Sequence, residues 1–180
     1  MVNNRRIITG LIGIAVVLPV VLLGQLKLGY IDSNRIMEEF EEVRDARARL
    51  EKETLRLQAE YNTLIGGLDS LQREFERQRL LLSNEKVREK ELEIQSRYGL
   101  TQQFQQAKFG PEGELYRYQA QLMAPILDKI DLAVKAVGAE RSFDFIMDAA
   151  GGGLVYALPA HDLTSAVIAE LRRSIANAKQ

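Results

Sequence analysis

Between Ile36 and Leu82 the apolar residues fall into two columns, each repeating every seven residues. One column is Ile36, Val43, Leu50, Leu57, Leu64, Leu71 and Gln78. The other, offset by four, is Phe40, Arg47, Thr54, Tyr61, Leu68, Phe75 and Leu82. Glu, Arg, Lys and Gln fill most of the positions between. A three-four spacing held this long predicts a helix with one narrow apolar seam, which only another helix can bury. At 1.5 Å rise per residue such a helix is roughly 70 Å long. Gly66-Gly67 interrupt it without shifting its phase and mark a soft point. Leu82-Ser83-Asn84-Glu85 is the predicted reversal, because Ser and Asn favour turns and helix starts. Val87, Ile94, Tyr98 and Phe104 then predict a descending helix on a weaker seam. Phe109-Gly110-Pro111-Glu112-Gly113 breaks or kinks it. Leu115, Leu122, Ile126, Ile130, Ala133 and Val137 resume helical spacing, with Pro125 inside the run and Gly138 at its end.

The two ends of the chain have a different period. Lys27 to Asp32 alternates, with Leu28 and Tyr30 on one side and Gly29 and Ile31 on the other, which predicts a short strand. Asp32 or Ser33 caps the helix that follows. Phe143, Phe145 and Met147 alternate with Asp144, Ile146 and Asp148 as a second strand. A glycine-rich turn over 149–153 and the run Leu154, Val155, Tyr156, Ala157, Leu158 complete a predicted β-hairpin. Asp162 caps a last helix whose apolar face is Leu163, Val167, Ile168, Leu171 and Ile175. The fold class is α+β. A long antiparallel helical hairpin over 36–137, with its tip near 82–85, stands on a small β-rich body made of 25–35 and 138–180. The two ends meet because neither buries its apolar face alone. Leu28, Tyr30, Phe143, Phe145, Met147 and Val155 are the candidate core of that body or of the assembly it forms with other copies.

Arg5-Arg6 followed by the uncharged run from Ile7 to Leu26 is an export or membrane-insertion signal. Residues 1–24 fit a cleaved signal peptide, with Pro19 ending the apolar helix shortly before Gly24. They also fit a retained anchor, since the run reaches the length needed to span a bilayer. In the second case residues 7–26 contact the membrane. In both cases the chain after Leu26 crosses the inner membrane.

With half of its 180 residues in the arm, the chain has a small core, which favours oligomerisation. The net charge of −1 leaves no global basic footprint for nucleic acid. Cysteine is absent and His161 is the single histidine, so thiolate and histidine-rich metal sites are excluded and no cofactor is expected. His161 beside Asp162 lacks a nucleophile, and the cap role accounts for Asp162. Glycines 151–153 lack the phosphate-loop pattern and lead into a predicted strand. Asp144 and Asp148 have no further ligand nearby. No catalytic constellation emerges, and the chain does not read as an enzyme.

The order of these pieces resembles the Skp/OmpH family of periplasmic chaperones. The matching segments are KLGYIDSNRIMEEF, QLMAPILDKIDLAVKAVGAERSFDFIMDAA, LVYA after the glycine turn, and HDLTSAVIAEL, with a long charged coiled coil between the first two. The resemblance implies a homotrimer whose body is built from strands of all three subunits, with three helical hairpins around a cavity. It also implies an ATP-independent holdase for unfolded outer-membrane β-barrel proteins in the periplasm. Apolar residues off the seam (Leu55, Ile65, Leu80, Leu81, Leu92, Leu100 and Phe104) are then the candidate client surface. Two features depart from the family pattern. The well-known members are strongly basic, whereas Arg73, Arg77, Arg79, Lys86, Arg88 and Lys90 are matched here by Glu74, Glu76, Glu85, Glu89, Glu91 and Glu93. The break at 109–113 is the other. The alternative function is an inner-membrane-anchored coiled-coil scaffold of an envelope complex.

Overall fold

Strand β1 (Leu28–Ile31) leads into helix α1 (Ser33–Glu39) and the long helix α2 (Glu41–Gln78). A 3-10 turn (Arg79–Leu81) reverses the chain into α3 (Asn84–Phe109), and α4 (Glu114–Glu140) continues the descent. Strand β2 (Phe145–Asp148), two 3-10 turns (Ala149–Gly151 and Pro159–His161) and α5 (Thr164–Ala178) complete this computed structural model, which describes residues 26–178. The proposed signal or anchor at 1–24 lies outside the described residues. Among them, no helix is long and apolar enough to cross a membrane.

The arm follows the predicted seam. Ile36, Val43, Leu57 and Phe75 are buried, while Leu50, Tyr61, Leu64, Leu68 and Leu71 are half-buried against α3 and α4. Arg47 is exposed and Ala46 takes the buried place beside it. At 1.5 Å per residue α2 alone is about 57 Å long. The turn at its end is made by Leu82, whose N–H reaches the Arg79 carbonyl, and by Ser83, whose hydroxyl accepts from the Lys86 N–H at 3.3 Å.

Two local features of the helices differ from the periodic reading. The seam helix is not continuous from its start, because Phe40 adopts extended backbone between α1 and α2. Phe40 is buried, as are Ile36 and Val43 on either side. All three side chains lie in the core beneath the sheet. Gly138 does not end its helix, which runs to Glu140. It is buried, and an added Cβ would stand 3.1 Å from Ile146 Cδ1. The glycine lets β2 approach the helix closely.

The body joins the two ends of the chain. β1 pairs in parallel with β2, with Leu28 opposite Phe145, Gly29 opposite Ile146, Tyr30 opposite Met147 and Ile31 opposite Asp148. Tyr30 also bridges to Asp162, and its carbonyl accepts the Leu163 N–H at 2.8 Å. Thr164, fully buried, accepts from the Asp32 N–H at 2.9 Å and donates its hydroxyl to Asp162. Below the sheet, Ile31, Ile36, Phe40, Val43, Ile126, Val137, Leu163, Val167 and Leu171 form one core.

The predicted hairpin is absent from the single chain. Residues 154–158 form no strand, and Val155 is 97 % exposed. β2 pairs with β1 along one edge, and its other edge carries no strand from 154–158. The residues expected in the core of the body or of its assembly divide into two groups within the single chain. Phe143 is packed against the core and Tyr30 is half-buried, whereas Leu28, Phe145, Met147 and Val155 are exposed and lie outside it. The opposite side of β1, Gly29 and Ile31, faces the helices. A Cβ on Gly29 would stand 2.8 Å from Leu163 and 2.9 Å from Phe143, so that side has been filled from below.

One carboxylate ties the sheet to α1. Asp148 Oδ1 accepts from the Ser33 N–H at 3.1 Å and the Ala150 N–H at 3.0 Å. Burial pushes this carboxyl up, but the hydrogen bonds from Ser33 and Ala150 outweigh it and hold the group below its ordinary range. A depressed folded value means the contribution is complete above the unfolded value, about 3.9, and is lost as pH falls through the lower folded value. Asp148→Asn is therefore expected to lower stability at neutral pH and progressively less below about pH 4. Urea melts across that range would read it, and a gap independent of pH would show that the charge contributes nothing.

Candidate functional site

The arm has three levels with different chemistry. At the joint, α3 ends and α4 begins while α2 passes alongside. Tyr61 stacks on Phe104 with ring centroids 6.2 Å apart and meets the edge of Phe109 at 6.2 Å. Phe104 is thus half-buried between the helices and is part of their packing rather than a free apolar surface. The break is built for glycine. An added Cβ on Gly110 would stand 2.4 Å from the Gln106 carbonyl oxygen, and one on Gly113 would crowd the carbonyls of Gly110, Lys108 and Ala107. Glu112 takes a positive φ of 61°. Charges fasten the joint from outside. Arg56 on α2 pairs with Glu53 at 2.6 Å and Glu60 at 3.2 Å, and lies 3.7 Å from Glu114 on α4. Glu114 also pairs with Lys108 on α3. The Arg56 hydrogen bond holds the Glu53 carboxyl below its usual range.

The middle of the shaft carries three glycines. Tyr61 Oη lies 3.3 Å from Gln105. In an antiparallel pair this register places Gly66-Gly67 level with Gly99. A Cβ on any of the three would meet nothing within 4 Å, so no packing demand explains them. Three helical glycines at one height weaken both strands of the hairpin at once. Gly66→Ala, Gly67→Ala and Gly99→Ala together are expected to raise arm stability by about 0.5–1 kcal/mol per site. Slower local amide exchange would show it, and unchanged or faster exchange would reveal a packing role.

Leu55, Ile65, Leu92 and Leu100 are exposed along the shaft, and Leu80 and Leu81 are exposed at the tip. Ile65 and Leu100 come level with each other beside the three glycines; the others are spread along the arm. Sequence reading missed Tyr116, Leu127 and Leu132 on α4, all exposed, the first beside the joint and the other two nearer the base of the arm. Each is the immediate neighbour of a buried or half-buried position (Leu115, Ile126 and Ala133), about 100° round the helix from it and so off the seam. Charge on the shaft is largely consumed locally, by Arg73 with Asp69, Lys86 with Glu89, and Lys90 with Glu93.

The body presents an open apolar face. Leu28, Phe145 and Met147 share the outer side of the sheet with Tyr30. A groove of about 650 Å³ lies between that side and the segment 154–161, lined by Leu26, Leu28, Tyr30, Met147, Tyr156 and Leu158 among others. Among the described residues, no cluster of three Asp, Glu or His side chains could hold a metal ion.

Residues 27–171 match the family model described as outer membrane protein (OmpH-like). No curated protein matches the sequence. A solved structure from Caulobacter crescentus, described as a candidate outer membrane chaperone (OmpH-like), is similar with a TM-score of 0.73 and 16 % identity. The match covers 82 % of this chain and 85 % of that one. At this identity the likeness establishes the fold: long helices on a small two-stranded sheet.

Proposed function

The chain belongs to the OmpH-like outer membrane protein family, and from that premise we propose that it is an ATP-independent periplasmic holdase, binding unfolded outer-membrane β-barrel proteins and preventing their aggregation. Three copies associate through the open faces of their bodies, and their arms enclose the client. The observation that carries this reading is the pairing of an arm that bears exposed leucines with a body whose sheet is apolar on its outer side. Many weak apolar contacts suit a client with no fixed shape, because no single contact has to be geometrically exact. The soft level at Gly66-Gly67 and Gly99 lets the enclosed space follow client size. Paired charges on the shaft leave capture to apolar contact and caging.

The test uses protein purified from its host envelope, with the N-terminal mass recorded. A urea-unfolded outer-membrane β-barrel protein is diluted into buffer with and without it, in the absence of ATP. Suppressed light scattering, with client found in a soluble complex of three chains, is the expected result. A trimer that leaves scattering unchanged removes holdase activity. Retention of residues 1–24 in that trimer would then favour the anchored scaffold.

A further inference from the structure

Lys27 is the residue by which the body takes hold of the chain before β1. Its N–H donates to Asp144 Oδ2 at 2.6 Å, and its carbonyl accepts from the Asp144 N–H at 2.9 Å. Its ammonium donates to the Arg141 carbonyl at 2.6 Å and lies over the Phe143 ring at 4.2 Å. Backbone and side chain are both engaged by one short stretch, 141–144, before sheet pairing begins at Leu28. Leu26, one residue earlier, already lines the groove with Tyr156 and Leu158.

The bond whose cutting releases residues 1–24 joins Gly24 to Gln25. Only Gln25 and Leu26 separate it from Lys27, and fully extended they reach no more than about 7 Å. An endopeptidase receives extended chain on both sides of the bond it cuts, so a bond this close to a folded body is reached only after the body opens. The motif for such cutting has small residues at the last and third-last positions of the segment. Gly24 meets it and Leu22 does not, so cutting is slow even on open chain. Lys27 and Asp144 are 117 residues apart. At about 5–20 residues per second, the chain between them takes roughly 6–23 s to be made.

We propose that removal of residues 1–24 is confined to the interval before Asp144 closes on Lys27, and that chains whose body closes first keep the segment as a membrane anchor. One polypeptide then supplies a released and an anchored form, in a ratio set by two rates: the slow cut at Gly24 and the closing of the body. This inference is independent of the holdase proposal.

The test uses the full chain, produced by cell-free synthesis, refolded in detergent micelles and exposed to purified signal peptidase. Mass spectrometry follows the product that begins at Gln25. Two variants are run beside it. One carries about ten Gly and Ser residues inserted between Leu26 and Lys27, which moves the bond away from a closed body. The other is Leu163→Asp, which puts a carboxylate in the buried place against Gly29 and opens the body. Amide exchange at β1 reads closed in the first and open in the second. The unaltered chain is expected to be cut at least about tenfold more slowly than either variant. Equal rates for the unaltered chain and the insertion variant overturn the proposal. A gain in only one variant overturns it as well, because a block set by a short spacer on a closed body is relieved by either change. So does absence of the product from both variants, since the segment is then an anchor at every stage.

Discussion

On the proposed association of three bodies through their open faces, Leu28→Asp together with Phe145→Asp is expected to yield single chains while leaving each chain folded. The two residues are register partners across β1 and β2, and both are exposed on the outer side of the sheet. Neither belongs to the core, so the helices should keep their packing. Burying a Leu or Phe side chain at an interface contributes about 1.5–3 kcal/mol, and each subunit of a symmetric assembly would lose both. Carboxylates at the same places would also have to be desolvated. Dissociation should therefore begin at concentrations more than about a hundredfold higher than for the unaltered protein. Sedimentation velocity and circular dichroism read the two halves of the expectation. An unaltered mass with native helicity would show that the open sheet face is not the assembly surface.

Leu57→Asp should have the largest effect on the arm. Leu57 is fully buried, close below the Tyr61, Phe104 and Phe109 cluster, where α2 passes the joint between α3 and α4. A carboxylate there has no cation to meet within the seam, and the cost on top of the lost leucine packing is at least about 3–5 kcal/mol. The arm is expected to open from the joint outward. Hydrogen exchange should rise through the outer part of α2 and all of α3, with β1, β2 and α5 still protected. Equal acceleration in the body would mean that arm and body unfold as one unit.

Much of the arm was legible in the sequence because its determinants are local. A seven-residue repeat, a Ser at a helix start and a Gly-Pro-Glu-Gly break each act within a few residues, and the observed turn and break lie at those places. Misreadings arose where a distant partner decides. The alternation of Leu28 and Tyr30 with Gly29 and Ile31 announces two faces of a strand without saying which is inside. A glycine reads as the poorer candidate for a core, yet Gly29 is buried because Leu163 and Phe143 occupy the space its side chain would take. Val155 and Tyr156 carry a strand-like pattern, yet in the single chain they pair with no strand and both side chains stand exposed.

By itself the sequence determined the helices of the arm, the place where it reverses and the break in its descending side. Those are properties of periodicity and turn chemistry, and near neighbours settle them. Tertiary structure alone decided the bend at Phe40, the inward face of β1, the parallel pairing of β1 with β2 and the exposure of the body's outer face. Each of these depends on which surfaces meet across more than a hundred residues of intervening arm, and the energy that selects among them comes from packing between those distant segments.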